Sequence, residues 1–232
     1  MKARVLPLAL LLTGLLLLAG CGATTTSSST ARTTSVPGKA TVPGKATAPG
    51  AASGGQAAMI GFEGVPLELG AELAPASTTQ TGTVDGIHCG PIEQLAYHIH
   101  AHLAVYANDV PRTLPAGVGI PGSAREQTTA GPIASGGQCI YWLHTHTSDG
   151  VIHIESPIKR VYTLGNFFDE WHQPLNELGV GTVHGRITAF LNGRRWNQDP
   201  RAIPLLPHAV IQLNIGSPTA PLQTIAWSST QL

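Results

Sequence analysis

The sequence predicts an α+β domain, mainly antiparallel β hairpins with one principal helix packed on the sheet. Three observations lead there. Alternating apolar residues mark strands at 95–107, 140–147, 151–156 and 209–215. Two-residue turn signals separate several of them, including Asn108-Asp109, Asp149-Gly150 and Asn192-Gly193. One stretch, 164–178, carries Phe167, Phe168, Trp171, Leu175 and Leu178 at helical spacing, with Gly179 as its stop.

The elements follow in order. Lys2 and Arg4 precede an apolar run over residues 5–18 that ends Leu18-Ala19-Gly20-Cys21. Basic residues, a short apolar core and small residues make an export signal over residues 1–20, too short for a convincing membrane span. The Leu-Ala-Gly-Cys ending resembles a bacterial lipobox. That resemblance implies cleavage before Cys21 and a lipid on its sulfur, hence an exported protein anchored to the outer face of the cell membrane. Residues 21–58 are low in complexity: a Ser/Thr run, then VPGKAT at 36–41 and again at 42–47. Such a composition buries too little apolar surface to offset chain entropy, so it reads as a disordered tether. Residues 59–232 are long enough for a single domain with a proper core.

Within that domain the strand at 95–107 should turn at Asn108-Asp109 and return over 110–114. Residues 140–147 and 151–156 should make a central hairpin, and 159–163 a short strand. The helix expected over 164–178 contains Pro174, which should kink or shorten it. Residues 182–191 and 194–196 flank Asn192-Gly193 as another hairpin, and 209–215 forms a final apolar strand. The aromatic stripe of the helix reads as core.

Six of the ten histidines fall in three clusters: His98-Ile99-His100-Ala101-His102, His144-Thr145-His146, and His153-Ile154-Glu155. Alternate side chains of a strand share a face, so each cluster presents its imidazoles and carboxylate on one surface. With Asp149-Gly150 as a two-residue loop, His146 would pair with His153 and His144 with Glu155, all four on one face. Opposed residues have Cβ atoms about 4.5–5.5 Å apart, close enough for one ion to bridge two strands. His98, His100, His102, His144, His146, His153 and Glu155 are therefore the candidate metal ligands, whether as one crowded site or two adjacent ones. The clustered imidazoles would repel on protonation and need partners if buried. Imidazole suits zinc or copper, with iron or manganese also compatible, whereas calcium and magnesium prefer oxygen.

With Cys21 assigned to lipid, Cys89 and Cys139 remain. In an oxidising compartment they most simply form one disulfide. It would close a loop of about 50 residues and contribute on the order of 4 kcal/mol through the unfolded state. Cys89 precedes the first histidine cluster and Cys139 the second, so the bond would tether the entrances of both metal-bearing strands. The competing reading makes the two cysteines copper ligands. His88, next to Cys89, is the strongest candidate for a further ligand.

Composition excludes other classes. The chain is 42% hydrophobic and 11% charged, with a formal net charge of +0, where about 25% charged is typical. No basic patch, and hence no nucleic-acid partner, is indicated. No phosphate-binding loop, nucleophile elbow, zinc-protease helix or dinucleotide fingerprint is present.

The runs YHIHAHLAVYAND, LPAGVGIPG, CIYWLHTHTSDGVIHIESP and YTLGNFFDEW resemble an uncharacterised family of exported or membrane-anchored bacterial and archaeal proteins. In that family an HIHAHL strand precedes an LHTHD-x-SG-x-IHIESP hairpin and an FTLGxFFDxW helix start. The match covers residues 89–171. Thr147 stands where the family pattern has aspartate. The resemblance implies that the seven candidate ligands form one constellation, and it implies no catalytic activity. Two function classes follow: a surface-tethered protein that binds a transition metal, or an extracytoplasmic metalloenzyme using the same site to activate water or oxygen.

Overall fold

An eleven-residue strand, Tyr97–Ala107, organises the domain. In the computed structural model, which describes residues 59–76 and 79–232, it lies inside an eight-stranded sheet. The expected signal segment, tether and Cys21 fall outside the described residues. We number the sheet's strands β1 (Ala71–Glu72), β2 (Tyr97–Ala107), β3 (Val110–Thr113), β4 (Leu143–His144), β5 (Val151–Ser156), β6 (Ile187–Leu191), β7 (Arg194–Trp196) and β8 (Ala209–Ile215). At a rise of about 3.3 Å per residue β2 is long enough to carry two strands end to end along one edge. β5 pairs antiparallel with its first half, from Tyr97↔Ser156 to His102↔Val151. β3 pairs antiparallel with its end, from Val105↔Arg112 to Ala107↔Val110. Its other edge runs parallel to β8, from Ala209↔Ala101 to Ile215↔Ala107. β8 continues to β6 and β7, and β5 to β4. Most pairings are antiparallel, as the turn signals require.

Two turns follow from their residues. Asn108 (φ 51°) and Asp109 (φ 67°) join β2 to β3; Asn192 (φ 50°) and Gly193 (φ 73°) join β6 to β7. Both central residues at positive φ define a type I′ turn, whose twist matches that of the flanking strands.

Period-two alternation divides the sheet into unlike faces. On one, Ala101, Leu103 and Val105 of β2, Ile152 and Ile154 of β5, Leu143 of β4 and Ile211, Leu213 and Ile215 of β8 join a single apolar core. On the other lie His98, His100 and His102, then Ala104 and Tyr106. Ala220 of the C-terminal segment packs on the last two. Gln212 and Asn214 of β8 face the same way and are buried by bonds to that segment: Asn214 Oδ1 accepts from Ala220 N at 2.9 Å, and Gln212 Oε1 from Gln223 N at 2.8 Å.

The helix, α1, covers the apolar face over Leu164–Glu170. Thr163 caps it, its hydroxyl accepting from Asn166 N while the Asn166 side chain accepts from Thr163 N, a reciprocal box that satisfies two orphan donors. Phe167, Phe168 and Trp171 are fully buried. The expected span of 164–178 is too long by two turns. His172 already sits at φ 59°, and Pro174 lacks the N–H the next turn would need and disfavours a helical Gln173. The chain instead forms a short three-stranded sheet over Leu175–Asn176, Gly179–Val180 and Val183–His184, leaving Leu178 71% exposed. Likewise only Tyr162–Thr163 of the expected strand 159–163 pairs, with Pro204–Leu205.

Cys89 and Cys139 form a disulfide with Cα atoms 5.4 Å apart. Beside it Gly90 and Ile140 exchange both backbone hydrogen bonds, at 2.9 and 2.8 Å. The covalent link and this bridge hold together the segments that lead into β2 and β4.

Glu170 is 1% exposed at the end of α1, and neither of its carboxylate oxygens has a hydrogen-bond partner. Burial raises its pKa well above 4.5. The penalty is absent below the unfolded value and grows as pH rises from 4.5 toward the folded one. Glu170→Gln, which keeps the shape and removes the charge, should therefore be more stable than the parent at pH 8 by at least about 1 kcal/mol, with little difference at pH 4. Urea melts at the two pH values would sink this if the parent were equally stable relative to the variant at both.

Candidate metal centre

The central hairpin forms with a different register from the expected one. Asp149-Gly150 is not a two-residue loop: β4 is only Leu143–His144, and His144 faces His153 instead of Glu155. The reason lies in the backbone bonds of the connecting chain. Thr145 N donates to Val118 O and its carbonyl accepts from Gly117 N, while the His146 carbonyl accepts from Ala134 N at 2.7 Å. Residues 145–148 are thereby drawn toward two neighbouring loops, and Thr147 bridges to Ile133. The slip is two residues, an even number, so each side chain keeps its face. Gly150 completes the path at φ 85°; a Cβ there would fall 2.8 Å from His102 Nε2 and 2.7 Å from Leu103 O.

His144, His146, His153 and Glu155 each offer a ligand atom within 4.8 Å of one another, and so do His98, His100 and His153. These two groups of His and Glu side chains could hold a metal ion. His153 belongs to both. The pairing of β2 with β5 sets His98 opposite Glu155 and His100 opposite His153, so the first histidine strand does lie beside the hairpin. His102 is apart from both groups. It is 1% exposed, its Nε2 lies 3.0 Å from Asp149 O, and its Nδ1 has no partner. Burial lowers its pKa to about 4, so it is a neutral core imidazole. His88 also stands apart: its Nδ1 lies 2.8 Å from Thr83 Oγ1 and its ring packs edge-on against Trp142. Tyr141 and Trp142 belong to the apolar core.

Two backbone carbonyls fix the ring orientations. His144 Nδ1 donates to Tyr141 O and His146 Nδ1 to Ala134 O, both at 2.8 Å. With its Nδ1 proton committed and burial holding the ring neutral, His144 presents a lone pair at Nε2, 3.2 Å from His146 Nε2. Glu93 Oε1 lies 3.2 Å from His146 Nε2. The ligand atoms that converge with this pair are those of His153 and Glu155, while Glu93 approaches His146 alone. Nitrogens on an ion with bonds of about 2.0–2.1 Å are separated by roughly 2.9 Å at right angles and 3.3 Å at the tetrahedral angle. The observed spacing accommodates a ligand pair, as it does an N–H···N hydrogen bond. His98 Nε2 and His100 Nε2, at 2.9 Å, match it too.

Charge is distributed to suit a cation. Burial, then the neighbouring His153, lowers His100 to about 3, and the same two causes hold His144 well below 6.5. His153 is the exception. Burial opposes its protonation, but hydrogen bonds to Glu155 and Glu63 overcome it and raise its pKa to about 9. Its Nε2 is 2.7 Å from Glu63 Oε1 and its Nδ1 3.3 Å from Glu155 Oε1. His100 and His144 are thus neutral imidazoles beside one imidazolium, His153, held by two carboxylates.

Glu63 and Glu93 were not expected from the sequence. Each is a lone carboxylate without periodic context, and Glu63 lies 90 positions from His153. The available signal was indirect: buried imidazoles need counter-charges, and the chain has only 13 acidic residues to supply them. A cleft of about 320 Å³ reaches the centre past Phe62, Glu63, Glu93, Ile133 and His146, and another of about 350 Å³ reaches it at His98, His100 and His208. No family model, curated protein or solved structure matches the chain, so geometry alone carries the reading of this centre.

The raised pKa of His153 contributes stability that is present below pH 6.5 and lost as pH rises through about 9. In metal-free protein its ring resonances should titrate near 9, and Glu63→Gln should move the midpoint down. A midpoint at or below 6.5 in the parent would show that the two carboxylates do not hold the proton.

Proposed function

We propose that the domain is the metal-binding head of an exported lipoprotein and that it takes zinc or copper through His144, His146, His153 and Glu155. The observation that carries this is the pair of imidazole Nε2 atoms facing each other at 3.2 Å with both Nδ1 protons already bonded to carbonyls. Three nitrogens and one carboxylate oxygen form a donor set that imidazole-preferring ions accept. Among the described residues the only cysteines are joined to each other, so no thiolate competes. The Tyr141 and Ala134 carbonyls orient the two rings, the outer-shell role that fixes a ligating histidine's tautomer. Because His153 carries a proton in the metal-free site, uptake of an ion through it releases that proton.

The disulfide supports export, since such bonds persist in oxidising compartments. The Lys2–Cys21 segment supports a lipid anchor at Cys21, with residues 22–58 as a tether. The same strand and hairpin that carry the resemblance to the HIHAHL family carry the candidate ligands, which supports reading the protein as a member of that family.

Full-length protein purified without a metal-binding tag and dialysed against a weak chelator should retain zinc or copper by elemental analysis. His146→Ala should lower affinity by more than about tenfold with the disulfide and far-ultraviolet circular dichroism unchanged. An empty parent that also fails to take up either added ion would end the proposal. For the anchor, fatty-acid labelling should depend on Cys21; a Cys21→Ser protein that is still labelled and still held on the membrane would refute it.

A further inference from the structure

Resting on that reading, we propose that the centre is dinuclear, holding two transition-metal ions bridged by the carboxylate of Glu155. The two histidine pairs lie on either side of this side chain. His98 and His100 extend from β2, with Nε2 atoms 2.9 Å apart. His144 and His146 come from β4 and the chain after it, 3.2 Å apart. Glu155 Oε1 is 3.1 Å from His98 Nε2, while Oε2 is turned to the other pair, 3.9 Å from His144 Nε2. The two oxygens address different nitrogen pairs.

The carboxylate is also unfinished. Glu155 is 3% exposed, yet its Oε2 has no hydrogen-bond partner. A buried acceptor left empty costs on the order of 1–3 kcal/mol, more for a charged group. A cation among His144, His146 and Oε2 removes that deficit. It leaves Oε1 beside His98 Nε2, which with His100 and His153 forms the second group of mutually close ligand atoms.

His153 fits between the pairs. Its ring centroid is 4.6 Å from that of His100 and 4.7 Å from that of His146, edge-on to both. It is the member common to the two groups of mutually close ligand atoms. Two divalent ions bring four positive charges into the cluster. Glu155, Glu63 and Glu93 place three carboxylates against it, more than a single divalent ion requires. Each half also has its own access, one cleft opening at His98 and His100 and the other at His146.

The test is stoichiometry and coupling on full-length, disulfide-bonded protein. Metal-free protein is loaded with zinc for elemental analysis and, separately, with copper(II) for electron paramagnetic resonance. The parent should bind two ions per chain, and the copper pair should show magnetic coupling. The variant His98→Ala/His100→Ala should bind one, with the coupling lost. Because His100 is buried, His98→Ala alone, at the 39% exposed end of the cluster, serves as the variant that keeps the fold; it should weaken the second ion at least tenfold and spare the first. Two ions without coupling would overturn the bridge. One ion in the parent, unchanged in both variants, would overturn the dinuclear centre and leave His98 as a hydrogen-bond donor to Glu155. No ion at all would overturn this inference together with the reading beneath it.

Discussion

The register between β2 and β5 is the constraint on which everything else depends. It places His100 against His153 and His98 against Glu155, and on the opposite face it places Ile99 and Ala101 against Ile154 and Ile152. A one-residue slip would send the histidines into the apolar core and the isoleucines into the polar face. The core and the candidate metal centre are therefore specified by the same pairing. What fixes it is the apolar face, where Leu103, Val105, Ile152 and Ile154 are all 1% exposed or less. At about 25 cal/mol per Å² of buried apolar surface, a slip would forfeit several side chains' worth of burial, far more than one hydrogen bond supplies.

Burial then does the electrostatic work. Removing imidazoles from water disfavours their charged form, which is why His100, His102 and His144 are neutral. Neutral imidazoles are the ligating form, so His100 and His144 stand ready to coordinate. The exception, His153, is protonated because hydrogen bonds to Glu155 and Glu63 outweigh the cost of burying its charge.

Much of this was legible in the sequence, for reasons that differ by element. The turns at Asn108-Asp109 and Asn192-Gly193 were readable because residue type alone determines which positions tolerate positive φ. Alternation in 95–107 and 209–215 marked β2 and β8 and their faces, with β2 starting two residues later than expected, at Tyr97. The hairpin at His144–Glu155 was readable only in part. Its expected register was wrong, because the chemistry of Asp149-Gly150 says nothing about Val118 and Ala134, which capture the backbone of residues 145 and 146. The four side chains still converge, since an even slip preserves faces. The helix was read too long because apolar spacing continues through Leu178, while Pro174 and the left-handed His172 end it sooner. Glu63 and Glu93 were beyond reach: they arrive by tertiary contact from segments with no periodicity to read.

The disulfide has a place in the same logic. A metal-free centre packs like-charged or lone-pair-bearing groups together, and that arrangement costs free energy until an ion arrives. Small zinc domains escape the cost by remaining unfolded without metal. Here the Cys89–Cys139 bond and the adjoining Gly90–Ile140 bridge restrain the segments that lead to both histidine strands. Restricting the unfolded chain raises its free energy relative to the folded one, by on the order of 4 kcal/mol for a loop of this length. The core beneath β2 adds to this on the opposite face. The ligands can then be held in place before the ion is bound, so that metal affinity is not reduced by the cost of folding the site.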